Sequence, residues 1–203
     1  MNISGTGFRP AYAVVACFLP LVLGGCVLPS AQRPSPVPMA RAVDLSRYAG
    51  DWFLIAHIPT SRDVGAHNAT EHYGIAPDGT VQITYRNRLG GFEGRHKLMT
   101  PVARVVEGSG NALWGVRFGW YWPFWYEYRI AFLEPDYSVT IVARSQQDFA
   151  WIFARQPQIS DERLAVYVGL LAGWGYDVTG LQRVPQQWPN PGDGTLPPAG
   201  GAH

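Results

Sequence analysis

The chain has few cysteines, few charged residues and no compact group of metal ligands. Cys17 and Cys26 are its two cysteines, so the sequence after residue 26 holds neither a disulfide nor a thiolate metal site. Charged residues make up 15% of the 203 residues and the formal net charge is +1, which excludes the basic surface that nucleic-acid binding requires. The histidines lack the close spacing of metal ligands, and no cofactor is expected.

Residues 1–25 are predicted to form a lipoprotein signal peptide. A single charge, Arg9, precedes an apolar run over residues 11–23 that is too short for a comfortable membrane span. The run ends in Leu-Gly-Gly-Cys26, which resembles a bacterial lipobox because two small residues precede the cysteine that would receive the lipid. The alternative is an ordinary secretory signal whose cleavage region happens to hold a cysteine. We favour lipidation of Cys26.

Proline-rich and polar segments lie on both sides of the expected domain. Residues 26–42 contain the lipidated cysteine and then a stretch rich in proline and serine, which cannot form a helix and has little to bury. This stretch is predicted to be an extended tether. Residues 185–203 are rich in proline, glycine and polar residues and are predicted to be a disordered tail. The folded domain is expected over residues 43–184.

The domain sequence consists of short segments with strand-like alternation, separated by turns. The first strand begins near Trp52 and ends at Pro59, and both of its faces are mostly apolar. Residues 92–105 are expected to form one strand that continues past Pro101 or bends there. About eight short strands follow one another with short connections. This pattern predicts an all-β fold, an eight-stranded antiparallel up-and-down β-barrel.

One helix is expected after the last barrel strand. Ser160 is its predicted N-cap, acidic residues follow in the first turn, and the helix should run to about Trp174. Leu164, Val168 and Leu171 lie on one stripe at helical spacing, so this C-terminal α-helix is expected to pack on the barrel wall. Residues 176–183 are predicted to form one more short strand.

Three motifs lie in order at the spacing of the predicted strands. Gly50 and Trp52 form a Gly-x-Trp motif after a short helical turn, Asp136 and Tyr137 lie between the sixth and seventh strands, and Arg155 ends the eighth. Together they resemble the three motifs of the lipocalin family. The resemblance implies a cup with one closed end, which Trp52 plugs while Arg155 stacks on the indole ring. These five residues are interpreted as structural, and none of them as catalytic.

Residues 148–160 and the lipobox resemble the bacterial outer-membrane branch of that family, whose members bind fatty acids or lysophospholipids. The resemblance implies a protein that binds a small hydrophobic ligand for storage or transport of lipids in outer-membrane maintenance, and that is not an enzyme. Val27 follows Cys26, whereas Asp at that position retains lipoproteins in the inner membrane. The resemblance therefore implies an anchor in the outer membrane, with the domain facing the periplasm.

The ligand is expected at the open end of the barrel. Tyr128 and Trp151 match, by position, aromatic residues that line the cavity of bacterial lipocalins. Strand alternation adds weaker candidates, since one slip in register would turn each outward: Ile130, Tyr85, Ile83, Trp114 and Val116. One alternative is a barrel that these side chains fill completely. Another is a lipid-directed enzyme, which would need an inward acid or histidine, but alternation turns Glu127 and His57 away from the interior.

Residues 119–125 form a loop with an unusual density of aromatic side chains. Trp and Tyr favour membrane interfaces, so this loop is one candidate for a lipid-facing rim. A homodimer contact and a flap over the barrel mouth are equally open interpretations. With a filled barrel, the same loop would be the contact surface of an envelope interaction protein.

Overall fold

A computed structural model describes Met1, residues 37–195 and residues 197–198. The predicted signal peptide, Cys26 and most of the tether lie outside the described residues. The elements after residue 43 are, in chain order, α1 (Leu45–Tyr48), β1 (Gly50–Ile58), β2 (Ala66–Ile75), β3 (Val81–Leu89), β4 (Arg95–Met99), β5 (Val102–Val105), β6 (Leu113–Arg117), β7 (Tyr126–Leu133), β8 (Val139–Ala143), β9 (Ala150–Ala154), α2 (Asp161–Gly173), a 3₁₀ turn (Val178–Gly180) and β10 (Gln182–Arg183).

The strands form a closed antiparallel barrel, as predicted. Strands β1 to β3 and β5 to β9 each pair with the next along the chain, β4 and β5 both pair with β3, and β9 returns to pair with β1. The strand expected over residues 92–105 is divided at Pro101 into β4 and β5, which pair in turn with β3. Because proline has no backbone N–H to donate to a neighbouring strand, regular pairing is interrupted at Pro101. Counting β4 and β5 as one bent strand gives the predicted eight.

Strand β1 contains a β-bulge that changes which residues face the interior. Leu54 pairs with Phe153 and Ala56 pairs with Ile152, which leaves Ile55 without a partner on β9. Alternation therefore shifts by one residue after the bulge. His57 pairs with Trp151 and is 1% exposed, and directly paired residues share one face of a sheet. The expectation that His57 faces away from the interior is wrong for this reason.

Helix α2 packs on the outside of the barrel, as predicted. Its N-cap is Ser160, whose hydroxyl accepts a hydrogen bond from the Arg163 backbone N–H at 3.3 Å. Leu164, Tyr167 and Leu171 are its buried residues, and they join a second core formed with the outward side chains of β1, β8 and β9. Neither helix in the described part of the chain has the length and apolar character needed to cross a membrane.

The C-terminal segment completes the wall between β1 and β2, so the predicted disorder does not hold for residues 185–195. Strands β1 and β2 pair only over the first four residues of β1. Beyond them the Val184 backbone N–H donates to the Ile55 carbonyl at 2.9 Å. The side-chain amide of Gln186 donates to the carbonyls of Leu54 and Ala69, at 2.9 and 3.0 Å, and thus joins the two strands. Polar side chains hold this segment in place.

Two smaller expectations are also corrected. Residues 176–183 were expected to form a strand, but they contain the 3₁₀ turn and only the two-residue strand β10, which pairs with Ala56 and His57. The tether was expected to be a free spacer through residue 42. Its last part instead lies against the barrel, because the Ala40 backbone N–H donates to the Ile130 carbonyl at 2.9 Å.

Candidate functional site

One end of the barrel is filled by an aromatic plug made of Tyr48, Trp52, Tyr73 and Trp114. All four side chains are at most 1% exposed. The ring of Tyr48 lies 5.1 to 5.5 Å, centroid to centroid, from the other three rings. The indole N–H groups are paired, since Trp52 donates to the Tyr48 carbonyl at 2.9 Å and Trp114 to the Asn111 carbonyl at 2.7 Å. This end therefore has no room for a ligand.

The guanidinium of Arg155 covers the plug from outside. Its carbon lies 3.9 Å from the centroid of the Trp52 ring, which is a cation–π contact. Its nitrogens donate to four carbonyl oxygens of the α1–β1 connection, at distances of 2.7 to 3.1 Å, from residues Arg47, Tyr48, Ala49 and Asp51. Gly50 has a φ of +89°, which lets the chain turn from α1 into β1 beneath the guanidinium.

Asp136 and Tyr137 contribute to the same end. The Asp136 carboxylate accepts a hydrogen bond from the Ser138 N–H at 2.9 Å and fixes the turn between β7 and β8. The Tyr137 hydroxyl accepts one from the Asp44 backbone N–H at 2.9 Å, directly before α1. Arg47 stacks on the Tyr137 ring at 4.0 Å. Together with Gly50, Trp52 and Arg155, these residues close the barrel.

Above the plug the barrel is hollow. A cavity of about 170 Å³ opens at the end where β1 leads into the loop over residues 59–65. Five of the seven predicted ligand-contacting residues line it: Tyr128, Trp151, Tyr85, Ile83 and Val116. The other two, Ile130 and Trp114, lie lower, in the packed part of the interior. Trp114 stacks under Tyr128, with ring centroids 5.0 Å apart and planes 7° from parallel.

The filled-barrel alternative is therefore wrong for the upper half of the interior and right for the lower half. Phe153 lines the cavity on the same strand as Trp151, and Phe149 lines it directly before that strand. Met99 of β4 and Phe118, directly after β6, add apolar surface. A narrow space closed at the bottom by aromatic rings suits one slender apolar chain or a small ring.

Glu71 is a cavity residue that hydropathy did not reveal. It lies midway along β2, is 9% exposed, and its Oε2 accepts a hydrogen bond from the Tyr73 hydroxyl at 2.5 Å. Since Tyr73 donates to Glu71, the adjacent Tyr128 hydroxyl donates to Tyr73. Burial raises the pKa of Glu71 to about 7, against the opposing effect of the Tyr73 hydrogen bond. In the sequence, alternation along β2 places Glu71 on the same face as Ala69 and Tyr73, and this was the available sign that Glu71 points inward.

At the mouth of the cavity, Asp63 connects the loop over residues 59–65 to the barrel wall. Its Oδ2 accepts a hydrogen bond from the Trp151 indole N–H at 2.9 Å and lies 3.4 Å from Nδ1 of His57. Its Oδ1 accepts from the Thr60 backbone N–H at 2.5 Å. Burial alone would raise the pKa of Asp63, but the contacts with His57 and Trp151 outweigh it and hold the pKa below the ordinary value. The loop over residues 59–65 is thereby fixed to β9.

The aromatic loop flanks this mouth and does not cover it. Phe118 and Tyr126, at the two ends of the loop, line the cavity, whereas Trp120, Tyr121 and Phe124 are 88%, 71% and 60% exposed. The flap interpretation is therefore wrong. Cations lie close to the loop: Arg62 lies 5.0 Å from the Phe118 ring, and both Arg104 and Arg117 lie within 5.3 Å of the Trp125 ring.

Within the described residues, no group of three or more His, Cys, Asp or Glu side chains is placed to hold a metal ion. The lining contains no cysteine, and its polar groups are carboxyls, hydroxyls and the two arginines Arg62 and Arg144. The arrangement can surround an apolar molecule and offer it hydrogen bonds at the mouth and at the inner end.

The plugged end, the hollow upper half and the external helix define a cup-shaped antiparallel β-barrel. The family model of the lipocalin-like domain matches residues 43–186, and the chain belongs to the lipocalin family. A protein named as a lipocalin in Acanthamoeba polyphaga mimivirus is 30% identical over 149 residues, which cover 70% of this chain and 84% of that protein.

Two further proteins are similar to this chain. The outer membrane lipoprotein Blc of Citrobacter freundii is 27% identical over 176 residues, covering 87% of this chain and 92% of that protein. Insecticyanin from the tobacco hornworm Manduca sexta has a TM-score of 0.58 at 14% identity, covering 76% of this chain and 86% of that one. The first supports the bacterial branch of the family, and the second supports the fold alone.

Proposed function

We propose that this protein binds a single-chain lipid, a fatty acid, lysophospholipid or similar small hydrophobic ligand, for storage or transport of lipids in outer-membrane maintenance. The observation that carries the proposal is the apolar cavity above the plug, with Trp151 at its mouth and Tyr128 at its inner end. Burial of an apolar chain in a preformed pocket is favourable by about 25 cal/mol per Å² of surface removed from water. No chemical reaction is part of the proposal.

The proposal includes a lipid anchor on Cys26 and an outer-membrane location facing the periplasm. The Leu-Gly-Gly-Cys26 sequence and the similarity to an outer membrane lipoprotein support it. The exposed side chains of Trp120, Tyr121 and Phe124 beside the cavity mouth provide independent support. Aromatic residues with basic neighbours suit the interface of an anionic bilayer. The ligand would then pass between the membrane and the cavity without crossing water.

An enzyme on the same barrel remains the weaker proposal. Glu71 and His57 both face inward, and of the two only His57 was expected to face away. Each is already engaged, however, Glu71 by the Tyr73 hydroxyl and His57 by Asp63. Within the described residues, neither side chain forms a hydrogen bond with a Ser, Thr or Cys side chain. Lipocalin relatives are typically binding proteins, which favours the same conclusion.

Displacement of 1,6-diphenylhexatriene tests the proposed function. This rod-shaped apolar dye fluoresces when it leaves water, and lysophosphatidylcholine or palmitate below micellar concentrations should displace it. Val116→Phe places a larger side chain in the cavity and should weaken binding at least about tenfold, while overpacking costs about 1–3 kcal/mol of stability.

Val166→Phe is the matched control, since Val166 is 61% exposed on α2 and should leave binding unchanged. Near-ultraviolet circular dichroism reports whether each variant has kept its fold. If the folded protein binds neither the dye nor any single-chain lipid, the proposed function is wrong.

A further inference from the structure

Three carboxyl groups line the cavity, among them Glu127, which was expected to face away from the interior. Two of the three have their hydrogen bonds made within the protein. The oxygens of Glu127 accept from Arg129 Nε at 2.7 Å and from the Ser145 hydroxyl at 2.5 Å. Those of Asp63 accept from Thr60 and from the Trp151 indole. Both groups are held below their ordinary pKa values despite burial, because these contacts, and for Asp63 above all the contact with His57, favour the ionised form.

Glu71 differs from both. Its Oε2 is paired with the Tyr73 hydroxyl, but its Oε1 accepts no hydrogen bond from any described residue. The side chain is more than nine-tenths buried, and it lines the cavity at the inner end, near Tyr128 and Tyr85. Because Oε1 is not among the fully buried side-chain atoms that lack a partner, it is open to the space of the cavity. A hydrogen-bond donor on a molecule in the cavity can therefore pair with Oε1 of Glu71.

We infer that the ligand presents a hydrogen-bond donor, a hydroxyl or an amine, to Oε1 of Glu71 at the inner end of the cavity. The inference rests on the proposed function and specifies its ligand: an apolar chain or ring that enters with an alcohol or amine group first. A terminal methyl group would leave the carboxyl unpaired, and a carboxylate would place a second negative charge beside it.

The mouth is suited to the apolar remainder of such a ligand. Phe149, Phe118 and Trp151 surround the opening, and the exposed aromatic side chains of the loop continue this surface outward. The arginines Arg62 and Arg144 lie at the rim, where a second polar group of the ligand would meet them.

Matched twelve-carbon compounds test the inference. Dodecanol, dodecylamine and laurate are compared by displacement of diphenylhexatriene from the full-length protein at pH 8, where the amine is protonated and laurate is ionised. We expect dodecanol and dodecylamine to bind at least about tenfold more tightly than laurate, since a hydrogen bond to an ionised group has a free energy of that order.

Glu71→Met should remove this advantage while dye binding persists, because methionine keeps the volume and loses the acceptor. Glu107→Gln, in an exposed turn, removes one negative charge elsewhere and should leave the ranking of the three compounds unchanged.

The outcomes separate the two proposals. If the dye binds but laurate binds as tightly as dodecanol, or if Glu71→Met leaves the ranking unchanged, the inference is overturned and lipid binding stands. An equal loss of ranking in Glu107→Gln would also overturn it, because overall charge and not the Glu71 contact would then be the cause. If neither the dye nor any of the three compounds binds, the proposed function fails and the inference with it.

Discussion

At the closed end of the barrel the Arg155 guanidinium donates to four carbonyl oxygens, whereas in the hollow half Glu71, at the inner end of the cavity, keeps one carboxyl oxygen unpaired. The rings of the plug are at most 1% exposed, whereas Trp120 is 88% exposed. The same residue types, aromatic and charged, thus form a sealed base in one region and an accessible surface in the other. Pairing and burial, not composition, distinguish the structural end from the recognising end.

Tryptophan-to-alanine substitutions at the two ends should give the largest contrast. Trp52→Ala removes a fully buried ring and the surface on which Arg155 stacks, so we expect a loss of about 3–5 kcal/mol in the free energy of unfolding. Trp151→Ala removes a half-buried ring and should cost about 1–2 kcal/mol while weakening ligand binding. Urea denaturation measures both. Equal losses of stability would contradict the distinction between the ends.

The next effect concerns pH and Glu71. Its pKa rises from 4.5 to about 7 in the folded protein, so the folded state binds more protons than the unfolded state between those values. Stability should therefore fall as pH rises from about 4.5 to 7 and stay reduced above it. Glu71→Gln removes this penalty and should raise stability at pH 8 by about 3 kcal/mol.

Denaturation of both proteins at pH 4.5 and pH 8 checks the sign of the Glu71 effect. The difference between wild type and variant should be largest at the higher pH. A gain that is the same at both values would show that packing, and not the ionisation of Glu71, is responsible.

The smallest effect on stability is expected at the aromatic loop. Replacing Trp120, Tyr121 and Phe124 together by serine should change the free energy of unfolding by less than about 0.5 kcal/mol, because all three are exposed. Vesicle binding is compared in a Cys26→Ser background, which cannot be lipidated. In that background the loop variant should nevertheless bind anionic vesicles much more weakly than the protein with the intact loop. Cosedimentation with vesicles measures it.

A double substitution of Val106 and Val166 by serine is the control for the loop, since both side chains are exposed elsewhere on the molecule. Retained vesicle binding by the loop variant, together with a change from dimer to monomer in analytical ultracentrifugation, would assign the loop to a homodimer contact instead.

The closed end could be predicted from the sequence because its residues follow rules that are local or ordered along the chain. Gly50 permits the turn into β1, Ser160 caps α2, and the alternation of the strands indicates a barrel. The open end could not be predicted to the same depth. Both faces of β1 are apolar, so hydropathy does not reveal the bulge at Ile55 that turns His57 inward.

Glu71 was missed for a related reason. An acidic residue inside a barrel contradicts the apolar pattern used to find interior positions, and its hydrogen bond to Tyr73 depends on the fold. The C-terminal segment was missed because Gln186 is held by the carbonyls of Leu54 and Ala69, which are separated from it by more than 100 residues. Interactions of this kind leave no periodic pattern in a sequence.

The position of that segment also sets the order in which the barrel can be finished. Strand β1 is among the first parts of the domain to be synthesised, and the residues that complete its pairing, from β10 to Gln186, are among the last. Contacts so distant along the chain form late, since the intervening chain must first be ordered. The wall therefore stays open until nearly all of the polypeptide is available.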